Sequence, residues 1–236
     1  MHERHTRLAD LDAWVIGDPV PDSRLCMVFL HGYNMSPADL TPFAHSLALP
    51  GITYVFPRAQ TAVSQQGYAW WPRVSAASAG QSSVARDLWQ EYPAGREQAR
   101  SQVSDLIDVL KRQSDAPLAL AGFSQGGMLA CDAVLLEDAE VEALVMMSSS
   151  CIADAEWRER RQRLNGLSAF VSHGRSDTDL SFDAGRRVAD FLTSGGARVT
   201  WMPFEGGHGI PFLVWRHFKR FMQSTLHELH QDYARL

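Results

Sequence analysis

The chain has 236 residues, 45% of them apolar, and a formal net charge of −5. That length suits one α/β domain spanning residues 1–236, and the seven tryptophans help supply a substantial core. The charge leaves no basic footprint for nucleic acid as a main partner, and no run of about 18 apolar residues exists to form a transmembrane helix.

In chain order, the charged stretch Met1-His2-Glu3-Arg4-His5-Thr6-Arg7 reads as a terminal arm. No signal-peptide core follows it, which predicts a cytoplasmic protein. A strand is expected at Ala13–Ile16, pairing antiparallel at the sheet edge, and another at Leu25–Leu30, whose apolar run is nearly continuous. Strands covered on both faces have that character. The turn Leu30-His31-Gly32-Tyr33-Asn34 comes next, then a helix over Pro37–Ser46 and a strand at Thr53–Phe56. Gln60–Ala94, rich in Ser, Gln, Gly and Ala and containing Trp70, Trp71 and Trp89, is an excursion from the sheet. It forms either one wall of a cleft or an irregular surface loop pinned by its aromatics.

A helix is expected over Gly95–Arg112 and a strand over Leu118–Gly122. Gly122-Phe123-Ser124-Gln125-Gly126-Gly127 then leads into a helix over Gly126–Leu136. Strands follow at Ala143–Met147, Ala169–Ser172 and Val199–Pro203, with helices over Ser181–Ser194 and Pro211–Asp232. Ala153–Leu164 is charged and reads as a solvated helix face. This alternation predicts an α/β fold with a mostly parallel sheet and helices on both faces. Of the three cysteines, Cys26 and Cys131 are expected to be buried free thiols, and Cys151, after a strand end, to be more exposed.

Strand, tight turn and helix with a serine at the apex and glycines two residues to each side make a nucleophile elbow. The turn strains the serine backbone and lets only small residues fit at the glycine positions. It lifts the Ser124 hydroxyl clear of the sheet and aims the Gln125 N–H at a developing oxyanion.

A serine hydroxyl needs a general base within hydrogen-bond reach and a group to orient that base. Two later turns offer them in the order acid, then histidine: His173-Gly174-Arg175-Ser176-Asp177-Thr178-Asp179 and Glu205-Gly206-Gly207-His208-Gly209. His208 is the expected base, with three surrounding glycines allowing close approach. Asp177 is the expected acid, ahead of Asp179, which lies farther from its strand. Glu205 is expected to be solvated and Asp183 to lie on a helix face. Gly32 permits an unusual turn that leaves the Tyr33 N–H as second oxyanion donor, while His31 ties the backbone through a ring nitrogen. His227 and His230, three apart, lack the acidic or cysteine partners of a metal site, and His217 faces the surface. No metal and no cofactor is expected.

These motifs resemble the phospholipase/carboxylesterase family of α/β-hydrolases, which includes the acyl-protein thioesterases. The matching pieces are Leu30-His31-Gly32, Phe123-Ser124-Gln125-Gly126-Gly127, His173-Gly174-Arg175-Ser176-Asp177 and Gly207-His208. The resemblance implies a nearly lidless serine hydrolase acting on small-molecule carboxylic esters or thioesters. Its triad would be Ser124, Asp177 and His208, and its oxyanion donors the backbone N–H groups of Tyr33 and Gln125. An amidase or peptidase on the same triad, or a non-catalytic binder of the same fold, remains an alternative.

Two departures bear on substrate size. The family commonly carries a small or aliphatic residue where Tyr33 stands, and its Trp-aromatic-Asp stretch appears here as Trp70-Trp71-Pro72. Tyr33, Trp70 and Trp71 are therefore expected to line an apolar slot of limited depth that favours shorter or aromatic esters.

Overall fold

The computed structural model describes residues 2–73 and 85–233. Its centre is set by apolar side chains that alternate along strands. In β3 (Leu25–Leu30), Leu25, Met27 and Phe29 face one side, while Cys26, Val28 and Leu30 face the other, all buried. β7 (Leu118–Phe123) and β8 (Ala143–Met147) divide their residues between the same two cores. A sheet apolar on both faces must be covered on both. α2 (Arg96–Gln113), α3 (Gln125–Leu136), α4 (Asp154–Arg160) and α5 (Phe182–Ser194) supply one cover, and α1 (Thr41–Leu47) and α6 (Phe212–Tyr233) the other.

The remaining strands of the main sheet are β1 (His2–Leu8), β2 (Leu11–Gly17), β4 (Ile52–Pro57), β9 (Ser168–Gly174) and β10 (Arg198–Phe204). The order is β1-β2-β4-β3-β7-β8-β9-β10. β2 runs antiparallel to both neighbours, and every pairing from β4 through β10 is parallel. This is the mostly parallel, doubly covered sheet expected from the sequence. A separate hairpin of β5 (Thr61–Ala62) and β6 (Tyr68–Ala69) opens the expected 60–94 excursion, whose residues 74–84 lie outside the described ones.

Three expectations are corrected. The Ala13–Ile16 strand is antiparallel but not at the edge, because the charged N-terminal stretch is itself a strand, β1, paired with β2 from His2↔Gly17 to Leu8↔Leu11. The helix foreseen over Pro37–Ser46 divides into a 3-10 turn, Pro37–Asp39, and α1. Cys151 is buried, like Cys26 and Cys131. Burial pushes the Cys26 thiol up to about 12 and raises the other two as well.

The charged Ala153–Leu164 stretch is mostly solvated, but Trp157 turns inward, and its indole N–H donates to Asp132 Oδ1 at 2.7 Å. Asp132 is buried on α3, and its Oδ2 lies 3.1 Å from Arg100 Nη1 and 3.4 Å from Arg96 Nε, both on α2. Burial raises the Asp132 pKa, against the opposing pull of the indole N–H and the two guanidinium groups. The network ties α2 and α4 to the helix that follows Ser124. The carboxyl ends of β3, β7, β8, β9 and β10 all open on one rim of the sheet, where turns converge.

Candidate active site

Ser124 sits between β7 and α3 with φ 53° and ψ −117°, a conformation that an L-residue adopts only where its surroundings enforce it. Its N–H donates to Met147 O at 2.8 Å, and its carbonyl accepts from Ser149 Oγ at 2.9 Å and from the Gly127 N–H at 3.0 Å. The neighbouring glycines are there for space. A Cβ on Gly122 would overlap the Gly126 backbone, and one on Gly126 would overlap the Leu30 carbonyl. At Gly127 it would lie 2.8 Å from Ser149 Oγ.

The loop after β10 brings His208 Nε2 to 3.0 Å from Ser124 Oγ, and His208 Nδ1 lies 2.7 Å from Asp177 Oδ2. The Nδ1–H donates to the carboxylate, which leaves Nε2 as acceptor for the serine hydroxyl. Asp177 Oδ1 accepts from the N–H groups of Asp179 at 2.8 Å and Leu180 at 3.0 Å.

A further group on this carboxylate was not foreseen. His173, at the end of β9, is fully buried, and its Nε2 lies 3.2 Å from Asp177 Oδ2 and 3.1 Å from Leu180 O. Two acceptors at Nε2 require that nitrogen to carry the proton. Nδ1 is then a lone pair, and it has no partner among the described residues. Burial alone would raise the Asp177 pKa. The bonds from His173 and His208, with that from the Asp179 N–H, outweigh burial and hold the carboxyl well below the usual carboxylate range.

Asp179 is engaged elsewhere. Its Oδ1 accepts from Arg73 Nη2 at 2.5 Å and Arg86 Nη2 at 2.6 Å, and its Oδ2 is 3.8 Å from His208 Nε2. Glu205 is solvated beside Arg175, and Asp183 is exposed in the first turn of α5.

The reading of the three glycines around His208 is narrowed. Gly206 has φ +154°, but a Cβ on Gly207 would meet nothing nearer than Ser176 O at 3.7 Å, and one on Gly209 nothing within 4 Å. The loop is held by hydrogen bonds, Ser148 Oγ to Gly209 O at 3.1 Å and the Ser176 N–H to Gly206 O at 2.9 Å, and its close approach to the sheet is made at Gly174, where a Cβ would overlap the Gly206 and Gly207 carbonyls.

The backbone N–H groups of Tyr33 and Gln125 have no acceptor among the described residues. Gly32 is corrected in its reason: it has no positive φ, whereas Asn34 does, at 58°. A Cβ on Gly32 would instead stand 2.8 Å from the Phe123 ring, so close approach requires the glycine.

His31 ties the backbone as expected. Its Nδ1–H donates to Gly32 O at 2.8 Å, and its Nε2 accepts the Ala59 N–H at 3.1 Å. Burial pushes its pKa down to about 4, so it stays neutral. The Gln125 side chain has a role the sequence did not disclose. Its Oε1 accepts the Trp70 N–H at 2.9 Å, and its Nε2 donates to Trp71 O at 2.8 Å.

Trp70 and Trp71 are 5% and 4% exposed and packed in the core, with the Trp70 indole N–H on His31 O at 2.9 Å. The expectation that both rings present open aromatic surface in a slot is therefore corrected. Their apolar area goes into the core, and their backbone braces the serine turn. Tyr33 is half-buried, with the Arg73 guanidinium 5.0 Å above its ring.

His217 is half-buried on α6, and His227 is exposed with its Nε2 2.8 Å from Gln231. The His230 side chain lies outside the described ones. Among the described residues no group of three or more His, Cys, Asp or Glu is placed to hold a metal ion. A cleft of about 720 Å³ lined by Lys111, Glu140, Arg163 and Arg198 lies near the amino ends of the parallel strands, away from Ser124.

The sheet order and the rim that gathers these turns define an α/β-hydrolase fold. Residues 13–226 match the Phospholipase/Carboxylesterase family, and the chain belongs to it. Among solved structures, the esterase PE8 superposes with a TM-score of 0.75 at 20% identity, covering 91% of this chain and 99% of that one. Zea mays acyl-protein thioesterase 2 gives 0.73 at 18%, covering 91% and 98%. A carboxylesterase from Mesorhizobium loti gives 0.73 at 17%, covering 94% and 98%.

Proposed function

We propose that the protein is a serine hydrolase that cleaves carboxylic esters or thioesters through an acyl-serine intermediate. The observation that carries this reading is the hydrogen-bonded line Ser124–His208–Asp177, at 3.0 and 2.7 Å, next to two backbone N–H groups without acceptors. The esterase and the acyl-protein thioesterase on which the chain superposes agree with it.

In this mechanism His208 Nε2 takes the Ser124 proton as Oγ attacks the carbonyl carbon. The Tyr33 and Gln125 N–H groups receive the oxyanion. The imidazolium returns its proton to the departing alkoxide or thiolate, and the acyl group stays on Oγ. Water, losing a proton to His208, then attacks the acyl-serine, and the collapsing intermediate regains Ser124. Asp177, kept anionic by its hydrogen bonds, fixes the Nδ1–H tautomer and balances the imidazolium. His173 is a positioning residue that holds the carboxylate from its buried side. Half-buried Tyr33, beside one of the proposed oxyanion donors, would limit the room left for the acyl or alcohol group, so turnover would peak at short to medium acyl chains.

Labelling with a fluorophosphonate, followed by turnover of p-nitrophenyl esters and acyl-thioesters of increasing length, tests the reading. Wild type should label and turn over. Ser124→Ala should fold, fail to label, and lose at least ~10³-fold in turnover. A Ser124→Ala protein that retains activity within about tenfold rules the nucleophile out.

A further inference from the structure

α6 begins four residues after His208, and its two sides differ in chemistry. Val214, Trp215, Phe218 and Met222 are buried against the sheet. At about 100° per residue, Phe212, Leu213, Arg216, Lys219 and Arg220 fall within roughly 120° of arc on the opposite side. On that arc Phe212 is 75% exposed and Leu213 44%. Arg216 and Arg220 are exposed, and Lys219 is half-buried.

None of the three cations pairs with a carboxylate among the described residues. The acidic residues nearest in sequence are engaged elsewhere, Glu205 with Arg175 and Glu228 with Arg198. Residues 206–227 contain no Asp or Glu at all. A chain of net charge −5 thus carries a local charge of about +3 behind an apolar tip.

We propose that this face of α6 docks the protein on an anionic lipid surface, peripherally, with Phe212 and Leu213 entering the headgroup–acyl boundary. Exposed aromatic and aliphatic side chains backed by cations on one arc of a helix are what an interfacial helix needs. The apolar tip gains by leaving water, and the cations gain from anionic headgroups. A second copy of the chain is disfavoured as occupant, because a two-fold interface would set these cations against one another. Because the tip continues directly from the His208 turn, docking would bring that rim toward the lipid. The binding itself does not depend on the proposed chemistry.

The test is co-sedimentation with vesicles of phosphatidylcholine, with and without phosphatidylglycerol. Wild type should bind the anionic vesicles, bind pure phosphatidylcholine far less, and be released by high salt. Arg216→Gln/Arg220→Gln should weaken binding ~25-fold, at about fivefold per cation from about 1 kcal/mol each. Phe212→Ser/Leu213→Ser should weaken it at least ~tenfold. Both variants should hydrolyse a short soluble ester as wild type does, which also shows that they fold. Equal or absent wild-type binding on the two vesicle types overturns the proposal, as do variants that bind undiminished. A wild-type dimer in light scattering that Phe212→Ser converts to monomer, without vesicle binding, overturns it in favour of a self-interface.

Discussion

Two glycine-rich turns meet at the rim, and they use glycine differently. In the Ser124 turn, the space a side chain would need at Gly122 and Gly126 is occupied by backbone. The serine is fixed there by packing and strain. In the His208 turn, a Cβ on Gly207 would make only an ordinary contact and one on Gly209 none, and the His208 ring is held by one carboxylate and by packing on Phe123. Ser124, the proposed nucleophile, is thus built into the sheet. His208, the proposed base, hangs on a hydrogen-bond network nearer the surface. The comparison predicts that the two turns fail in different ways.

The largest effect should come from the carboxylate on which the open turn depends. Asp177→Asn should reduce kcat by on the order of 10³–10⁴ in folded protein, because an amide can present its N–H to Nδ1 and favour the wrong tautomer. Asp179→Asn should cost much less, since Asp179 serves Arg73 and Arg86. His173→Leu should fall between them, at roughly 10–100-fold in kcat with KM little changed, as one hydrogen bond to a charged group is lost. His173→Gln should recover part of this by restoring a donor near Nε2. A larger loss for Asp179→Asn than for Asp177→Asn, read from steady-state kinetics, would reverse the assignment of the acid.

Next comes the packed turn. The added methyl of Gly126→Ala has to displace the Leu30 carbonyl, which is backbone in a central strand. Overpacking of this kind costs about 3 kcal/mol or more, and a displacement near 1 Å at the serine costs on the order of 10²-fold in turnover. Denaturant midpoints and kinetics together decide. A variant as stable and as active as wild type would show that the elbow is not set by this contact.

A third effect lies in the loop after β3 and depends on pH. The folded His31 pKa of about 4 lies below the ordinary value of about 6.5. Between those values the unfolded chain binds a proton that the folded protein refuses. Stability is therefore fully present above about pH 6.5 and falls as pH drops toward 4, by up to about 3 kcal/mol. Asp177, with a depressed pKa, acts in a lower window: its contribution is full above about 4 and is lost below it. Urea midpoints at pH 7.5, 5.5 and 4.5 should fall more steeply for wild type than for His31→Gln. Parallel slopes would assign the acid sensitivity to other groups.

What could be read in advance follows the same division. Ser124, Asp177 and His208 are brought together where strand–turn–helix order implied, because their positions depend on local chain geometry at strand ends. The central strands announced themselves through unbroken apolar runs. β1 did not, since His2–Leu8 exposes nearly every side chain and is a strand only through its ladder to β2. The inward turn of Trp70 and Trp71 was hidden because it depends on the Gln125 amide, 55 residues away from Trp70. His173 was hidden because its meaning lies in a carboxylate across a turn, where the residues themselves show only a histidine before a glycine.

The smallest effect is also the sharpest test of the contrast between the turns. A Cβ on Gly209 would find nothing within 4 Å, and its φ is not in the left-handed region. Gly209→Ala should therefore change stability by no more than about 0.5 kcal/mol, the range of an unremarkable surface substitution. Alanine also removes some freedom from the unfolded chain, which pushes the balance toward stabilisation. Since the Ser148 hydroxyl holds the Gly209 carbonyl and not its side, that bond should survive. Turnover within about threefold of wild type would leave the His208 turn as one with room to spare at Gly209. A loss of 10²-fold at unchanged stability would mean instead that Gly209 needs its freedom during the reaction. The two turns would then differ in when glycine is required, rather than in whether it is.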